Sequence, residues 1–280
     1  MCFDPQPFIL DATAQALEPF VRERFARWSY DASLKVRLKS DITNTTIGQP
    51  VIVQQTTYRA GLCTNEMIDT ELWSEKTRQK IFVGFNLMSR DGVLLDFASS
   101  ACSNHIGVST LAITNDGKLI IPTQPSDSIY NAGLWAPSGS GSADWEDFAP
   151  FNNNFQHALT RAMERELREE NGLESLQPQL KTRVIGMSRL LSRGGKPEFF
   201  GVSLLDLPAA DLPARERLFV SLGRNGANWM QPDQMLQALA TFQDQCQWDA
   251  SFQLVLNLRF LQDYLAAFPG FFSGQSTQDD

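Results

Sequence analysis

The chain has 280 residues, 42% hydrophobic and 20% charged, which is ordinary for a soluble globule with a core to bury. A formal net charge of −8 argues against a general nucleic-acid binder and against an anionic membrane surface. Cys2, Cys63, Cys102 and Cys246 are scattered without CxxC spacing, and neither a signal segment nor an apolar run of spanning length stands out, so reduced thiols in a cytoplasmic protein are expected.

Taken in order, Pro5 and Pro7 give an extended lead-in. Asp11 is placed to cap a helix through Ala14 and Leu17. Pro19 restarts it, and Phe20, Val21, Phe25 and Trp28 form a second apolar face. Alternation at Leu34, Val36 and Leu38 and the β-branched run 51–53 predict strands within 34–60. Residues 65–80 read as a helix, and 81–85 and 93–95 then flank Arg90-Asp91-Gly92 as a hairpin. This front part, residues 1–103, carries no motif. It reads as an α+β extension packed on the remainder or on a second subunit, which leaves a homodimer open.

From His105 onward the pattern changes. Residues 106–113 form a buried-strand run, Asn115-Asp116-Gly117-Lys118 a turn, and 119–121 a returning strand. Trp135 precedes a Gly/Ser-rich stretch in which Gly139 and Gly141 would let backbone approach a phosphate closely; a flexible linker is the alternative. Asp144, Glu146 and Asp147 follow in a polar segment. Leu159, Met163 and Leu167 then repeat every four residues and make the inward stripe of a helix. Glu166, Glu169 and Glu170 stand at i, i+3 and i+4 on one side of it, and Asn171-Gly172 stops it. Carboxylates in a last turn are opposed by the helix dipole and by one another, and a divalent cation would reverse both penalties. The bland alternative is a solvated helix on which Arg165 and Glu169 form a surface pair.

Farther on, 183–191 and 198–204 read as strands around the turn 192–197. Arg189, Arg193 and Lys196 are a cationic cluster able to meet phosphates, or a solvated turn. Pro232 opens a helix around Met235, Leu236 and Leu239. Asp249 caps a last helix, apolar on much of its circumference from Phe252 to Leu265, and residues 273–280 form a loose tail.

The run Arg165, Glu166, Leu167, Glu169, Glu170, Gly172 and Leu173 resembles the second half of the Nudix box, G-x5-E-x7-R-E-U-x-E-E-x-G-U, with U a bulky aliphatic residue. In the first half the Glu position falls on His157 and the leading Gly on Phe151. The segment from Trp135 through Pro137 and Gly139 is similar to the W-x-x-P-G-G stretch ahead of the box, with an insertion of about ten residues between. This resemblance implies an α/β class (an α+β mixed sheet), a Nudix α/β/α sandwich over 104–272, behind the 1–103 extension. It implies Mg²⁺ or Mn²⁺ on Glu166, Glu169 and Glu170, with Arg165 bracing the helix. The reaction implied is hydrolysis of the diphosphate bond in a nucleoside diphosphate linked to another moiety. The expected partner is a small-molecule nucleotide, with no nucleic acid and no membrane. Gly139, Gly141, Arg189 and Arg193 are candidate phosphate contacts, and Trp135 is a candidate base-stacking residue or a core tryptophan. Asp144, Glu146 or Asp147 could supply the acid that His157 lacks, His157 itself suits a helix start or a substrate contact, and Glu198 could be a further carboxylate or base. Two alternatives stand beside this reading: a catalytically impaired Nudix-fold binding or regulatory module, and a chance match on a structural helix.

Overall fold

In a computed structural model, residues 1–25, 33–43, 48–126, 128, 131–149, 154–224, 228–246 and 248–271 are described. Trp28, Phe151 and the tail 273–280 lie outside them. The chain divides into two units, Met1–Gly107 with Ser142–Leu159 and Met187–Glu198, and Val108–Gly141 with Thr160–Gly186 and Phe199–Asp280.

In the first unit, β1 (Cys2–Phe3) runs parallel to β3 (Ile52–Thr57), which pairs antiparallel with β2 (Leu34–Leu38). Helix α1 (Ala12–Ala16) starts where the Asp11 carboxylate accepts the Ala14 N–H at 2.7 Å, and α2 (Glu18–Arg24) restarts with Pro19 in its first turn. Thr57 caps α3 (Tyr58–Cys63). The helix expected over 65–80 does not form. Asn65–Met67 is one 3₁₀ turn, and β4 (Glu71–Trp73) pairs with β5 (Lys80–Val83). Hydroxyls intervene between them: the Thr77 N–H donates to Ser74 Oγ at 3.2 Å, so local side chains offer the backbone a turn in place of a helix. The next hairpin is also shorter than expected. Asp91 (φ 53°) and Gly92 (φ 77°) make the turn, but they join only β6 (Ser89–Arg90) and β7 (Val93–Leu94), because residues 80–83 are already paired with β4.

The first unit also takes in later chain. The Val36 N–H donates to the Ala143 carbonyl at 3.3 Å, and Lys35 pairs with Asp144 at the start of α4 (Trp145–Phe148). The α+β part read over 1–103 therefore shares its unit with residues 142–159 and 187–198.

The second unit holds most of a sheet ordered β11 (Leu180–Leu190), β12 (Lys196–Leu205), β8 (Gly107–Thr114), β9 (Lys118–Pro122) and β13 (Arg217–Ser221), with β10 (Gly139–Ser142) beside β8; residues 107, 142, 187–190 and 196–198 of these strands are counted in the first unit. Leu111, Ile113, Leu119 and Ile121 pack with the buried faces of α6 (Pro232–Cys246) and α7 (Phe252–Ala267). The intervening Ala112 and Ile120 pack with Leu167 of α5 (Phe155–Asn171) and with Leu173. The period-two alternation thus buries both faces of the strands and places helices on each, a three-layer mixed α/β arrangement. Helix α6 begins at Pro232 as expected. Helix α7 is capped by Ser251, whose hydroxyl accepts the Leu254 N–H at 3.2 Å, and not by Asp249, whose carbonyl accepts the Trp135 N–H at 2.7 Å. Among the described residues no helix is long and apolar enough to cross a membrane.

Candidate active site

The last two turns of α5 lie against β10. The helix stops in a Schellman motif: Gly172 takes φ +66°, the Leu173 N–H reaches the Arg168 carbonyl at 2.9 Å, and the Gly172 N–H reaches the Glu169 carbonyl at 3.4 Å. Asn171 ties this end down, donating to the Leu167 carbonyl at 2.9 Å and to the Ser138 carbonyl at 2.6 Å. Ser138 in turn donates to the Ile120 carbonyl and accepts the Ala112 N–H, so the segment entering β10 is fastened to both β8 and β9.

Gly139 and Gly141 are where close backbone approach is needed, and what approaches is the helix. A Cβ on Gly139 would come within 2.6 Å of the Leu167 backbone. One on Gly141 would come within 2.2 Å of the Glu166 carboxylate. The first forbids a side chain, and the second admits one only if the Glu166 carboxylate shifts. Between them, Ser140 donates its N–H to Glu170 Oε2 at 3.1 Å and its hydroxyl to Oε1 at 3.5 Å. Glu166 and Glu170 are thus one turn apart on the face of α5 that meets β10. Glu166 is buried at 9% exposure, and Glu170 is partly buried. Burial, followed by the neighbouring Glu166 charge, holds the Glu170 carboxyl well above the usual carboxylate range, against the two Ser140 bonds.

Arg165 meets Glu166 at 3.0 Å and Glu169 at 3.1 Å. Glu169 therefore points outward, with its side chain 51% exposed. Among the described residues no group of three or more His, Cys, Asp or Glu side chains gathers as a ready ligand set. Two carboxylates held together against a helix C-terminus nevertheless make an oxygen-donor pair of the type that hard divalent cations take.

The remaining candidates lie elsewhere. Trp135 stacks on Phe242 with ring centroids 5.9 Å apart and packs against the α6/α7 core. Arg189, in the first unit, lies 4.1 Å over the Phe97 ring, 3.6 Å from Asp41, and donates to the Leu95 carbonyl. Arg193 grips Glu66 with two bonds of 2.9 and 2.5 Å. Lys196 and Glu198 are buried and paired at 3.0 Å, over Gly107, where any Cβ would strike both. Asp144 and Asp147 close a capping box on α4, while Glu146 is exposed. His157 is exposed in the first turn of α5, its N–H bonded to Asn154 Oδ1 at 2.9 Å. Two cations went unread in sequence: Arg215, which donates to the Glu170 carbonyl at 2.5 Å and so caps α5, and Arg217 on β13. No local pattern marks either, because strand pairing delivers them.

No family model matches the chain, and no curated protein matches it. Solved structures that align with it include a Nudix hydrolase of M. smegmatis, RenU, at 13% identity and TM-score 0.36, covering 71% of this chain and 97% of that one. A Deinococcus radiodurans protein aligns at 17% identity and TM-score 0.33, covering 55% and 81%. A MutT protein of Methanosarcina mazei aligns at 16% identity and TM-score 0.31, covering 57% and 94%. TM-scores at this level establish neither a shared fold nor a shared activity, so the chain's own side chains have to carry the functional assignment.

Proposed function

We propose that the chain is a Nudix-type pyrophosphohydrolase that cleaves the diphosphate bond of a nucleoside diphosphate linked to another moiety, using Mg²⁺ or Mn²⁺. One observation carries the reading. Glu166 and Glu170 face β10 at two glycines, where a Cβ would strike the Leu167 backbone or the Glu166 carboxylate, and Glu170 keeps this place although burial and Glu166 both oppose its charge. A purely structural helix gains nothing from that arrangement, since a neutral side chain would sit there at lower cost. Glu166 and Glu170 would hold the cation, with Glu169 swinging from Arg165 to join them. A cation so bound neutralises a diphosphate and makes an attacking water more acidic. Arg165 orients Glu166, and Ser140 orients Glu170 through both of its donors.

The test is a panel of ADP-ribose, NAD, NADH, FAD, diadenosine polyphosphates, nucleotide sugars and nucleoside triphosphates, each with and without Mg²⁺ or Mn²⁺. At least one should be cut within its phosphate chain, and Glu166→Gln should lower kcat by about a hundredfold or more. The outward Glu169 favours one rival, a nucleotide-binding module without turnover. Tight, metal-dependent binding with no cleavage of any member would establish that rival.

A further inference from the structure

Beside the end of α5, the second unit contains a pocket of about 300 Å³ lined in part by Pro122, Gln124, Glu170, Asn171, Arg215 and Arg217. Strand pairing fixes its walls: Arg217 stands opposite Pro122 in the β9–β13 register, and the Thr123 N–H reaches the Glu216 carbonyl. The Arg217 guanidinium is held at one corner only. Its Nη2 donates to the Pro213 carbonyl at 2.7 Å, while Nη1 is buried with no partner among the described residues. A buried donor left unmade costs more than an ordinary bond gains, and one on a charged group costs most.

Arg215 brings a second guanidinium to the same pocket, where its Nη1 donates to the Glu170 carbonyl. Burial, and then the Arg215 charge, lower the Arg217 pKa, so the two cations oppose each other across this space. The acids here do not answer them: the Glu170 carboxylate is bonded by Ser140, and Glu216 is exposed to solvent. Asn171, on the same wall, has its Oδ1 buried without a partner among the described residues, which suits a hydroxyl donor beside the anion. The volume is at the small end for ligand pockets, enough for one phosphoryl group with a small attached moiety.

We propose that this pocket is a phosphate subsite, in which Arg217 and Arg215 bind one phosphoryl group of a ligand through paired N–H donors. The assignment rests on neither the metal nor the hydrolysis proposed above.

Inorganic phosphate and pyrophosphate, titrated into the full chain at constant ionic strength without divalent metal, test it by ³¹P line broadening and melting temperature. Both probes should bind saturably to the wild type. Arg217→Ala should weaken them by about tenfold or more, and so should Arg217→Lys, because one ammonium cannot span two oxygens as a guanidinium fork does. Lys181→Ala, at an exposed position on β11, should change nothing. If Arg217→Ala does not fold, Arg217→Lys carries the same readout. Absence of saturable binding, or equal affinity in the wild type and the folded Arg217 variants, overturns the subsite. Because metal is left out, either result stands whether or not Glu166 and Glu170 prove catalytic.

Discussion

Replacing Glu170 with glutamine keeps the shape of the carboxyl and removes its charge. Charges one helical turn apart, about 6 Å, repel by about 3 kcal/mol at an effective dielectric constant of about 20. Arg165, 3.0 Å from Glu166, and the two Ser140 donors to Glu170 return part of this, leaving about 1–2 kcal/mol. The direction follows from the raised pKa of Glu170. Below the ordinary carboxylate range the group is protonated in both states and costs nothing. As pH rises through its folded-state pKa the folded chain must give up a proton it holds more tightly than the unfolded chain, and stability falls. Without metal and near pH 8, Glu170→Gln should therefore melt about 2–6 °C above the wild type, and near pH 4 the two should coincide. Adding Mg²⁺ should raise the wild-type melting temperature and leave the variant unmoved. Calorimetry across pH, with and without Mg²⁺, reads all three effects. A variant that melts below the wild type near pH 8, or that responds equally to Mg²⁺, would refute the reasoning that this carboxylate waits for a cation.

Gly139→Ala and Gly141→Ala should separate packing from chemistry. The first meets Leu167 backbone and should cost about 1–3 kcal/mol in denaturant unfolding, while the second meets the end of the Glu166 side chain, displaces its carboxylate and should chiefly abolish the Mg²⁺ response. Lys196→Met should destabilise by about 3–5 kcal/mol by removing the buried ammonium that pairs with the Glu198 carboxylate. Lys196→Met with Glu198→Leu should regain most of that; a double variant no more stable than the single would argue against the ion-pair account. Expressed alone, residues 104–280 should aggregate or unfold, since Asp144 and Arg193 would lose Lys35 and Glu66; a monodisperse fragment with an unchanged melting temperature would contradict this. His157→Ala, at an exposed first-turn position, should change kcat little in any activity the substrate panel reveals.

Local chemistry was enough to read the strand β8, its turn and β9, and the helix α5 with its apolar stripe and glycine stop, because each depends on neighbours within a few residues. It was not enough between 65 and 80, where helix-compatible residues were recruited into a hairpin by hydroxyl-to-backbone bonds and by the pairing of β4 with β5. At the site, the sequence by itself determined that Glu166, Glu169 and Glu170 share one side of a helix end. Only the tertiary structure decided which of them turn inward, since that depends on β10 closing over Glu166 and Glu170 while Arg165 draws Glu169 out. It also decided the fate of the cations. Arg189 and Arg193, near the motif in sequence, are bound to Asp41 and Glu66, while Arg215 and Arg217, more than forty residues from the helix end, reach it because β13 pairs with β9. Proximity along a chain records which residues can be neighbours on one element; which charges face each other is set by sheet register, and no local pattern encodes it.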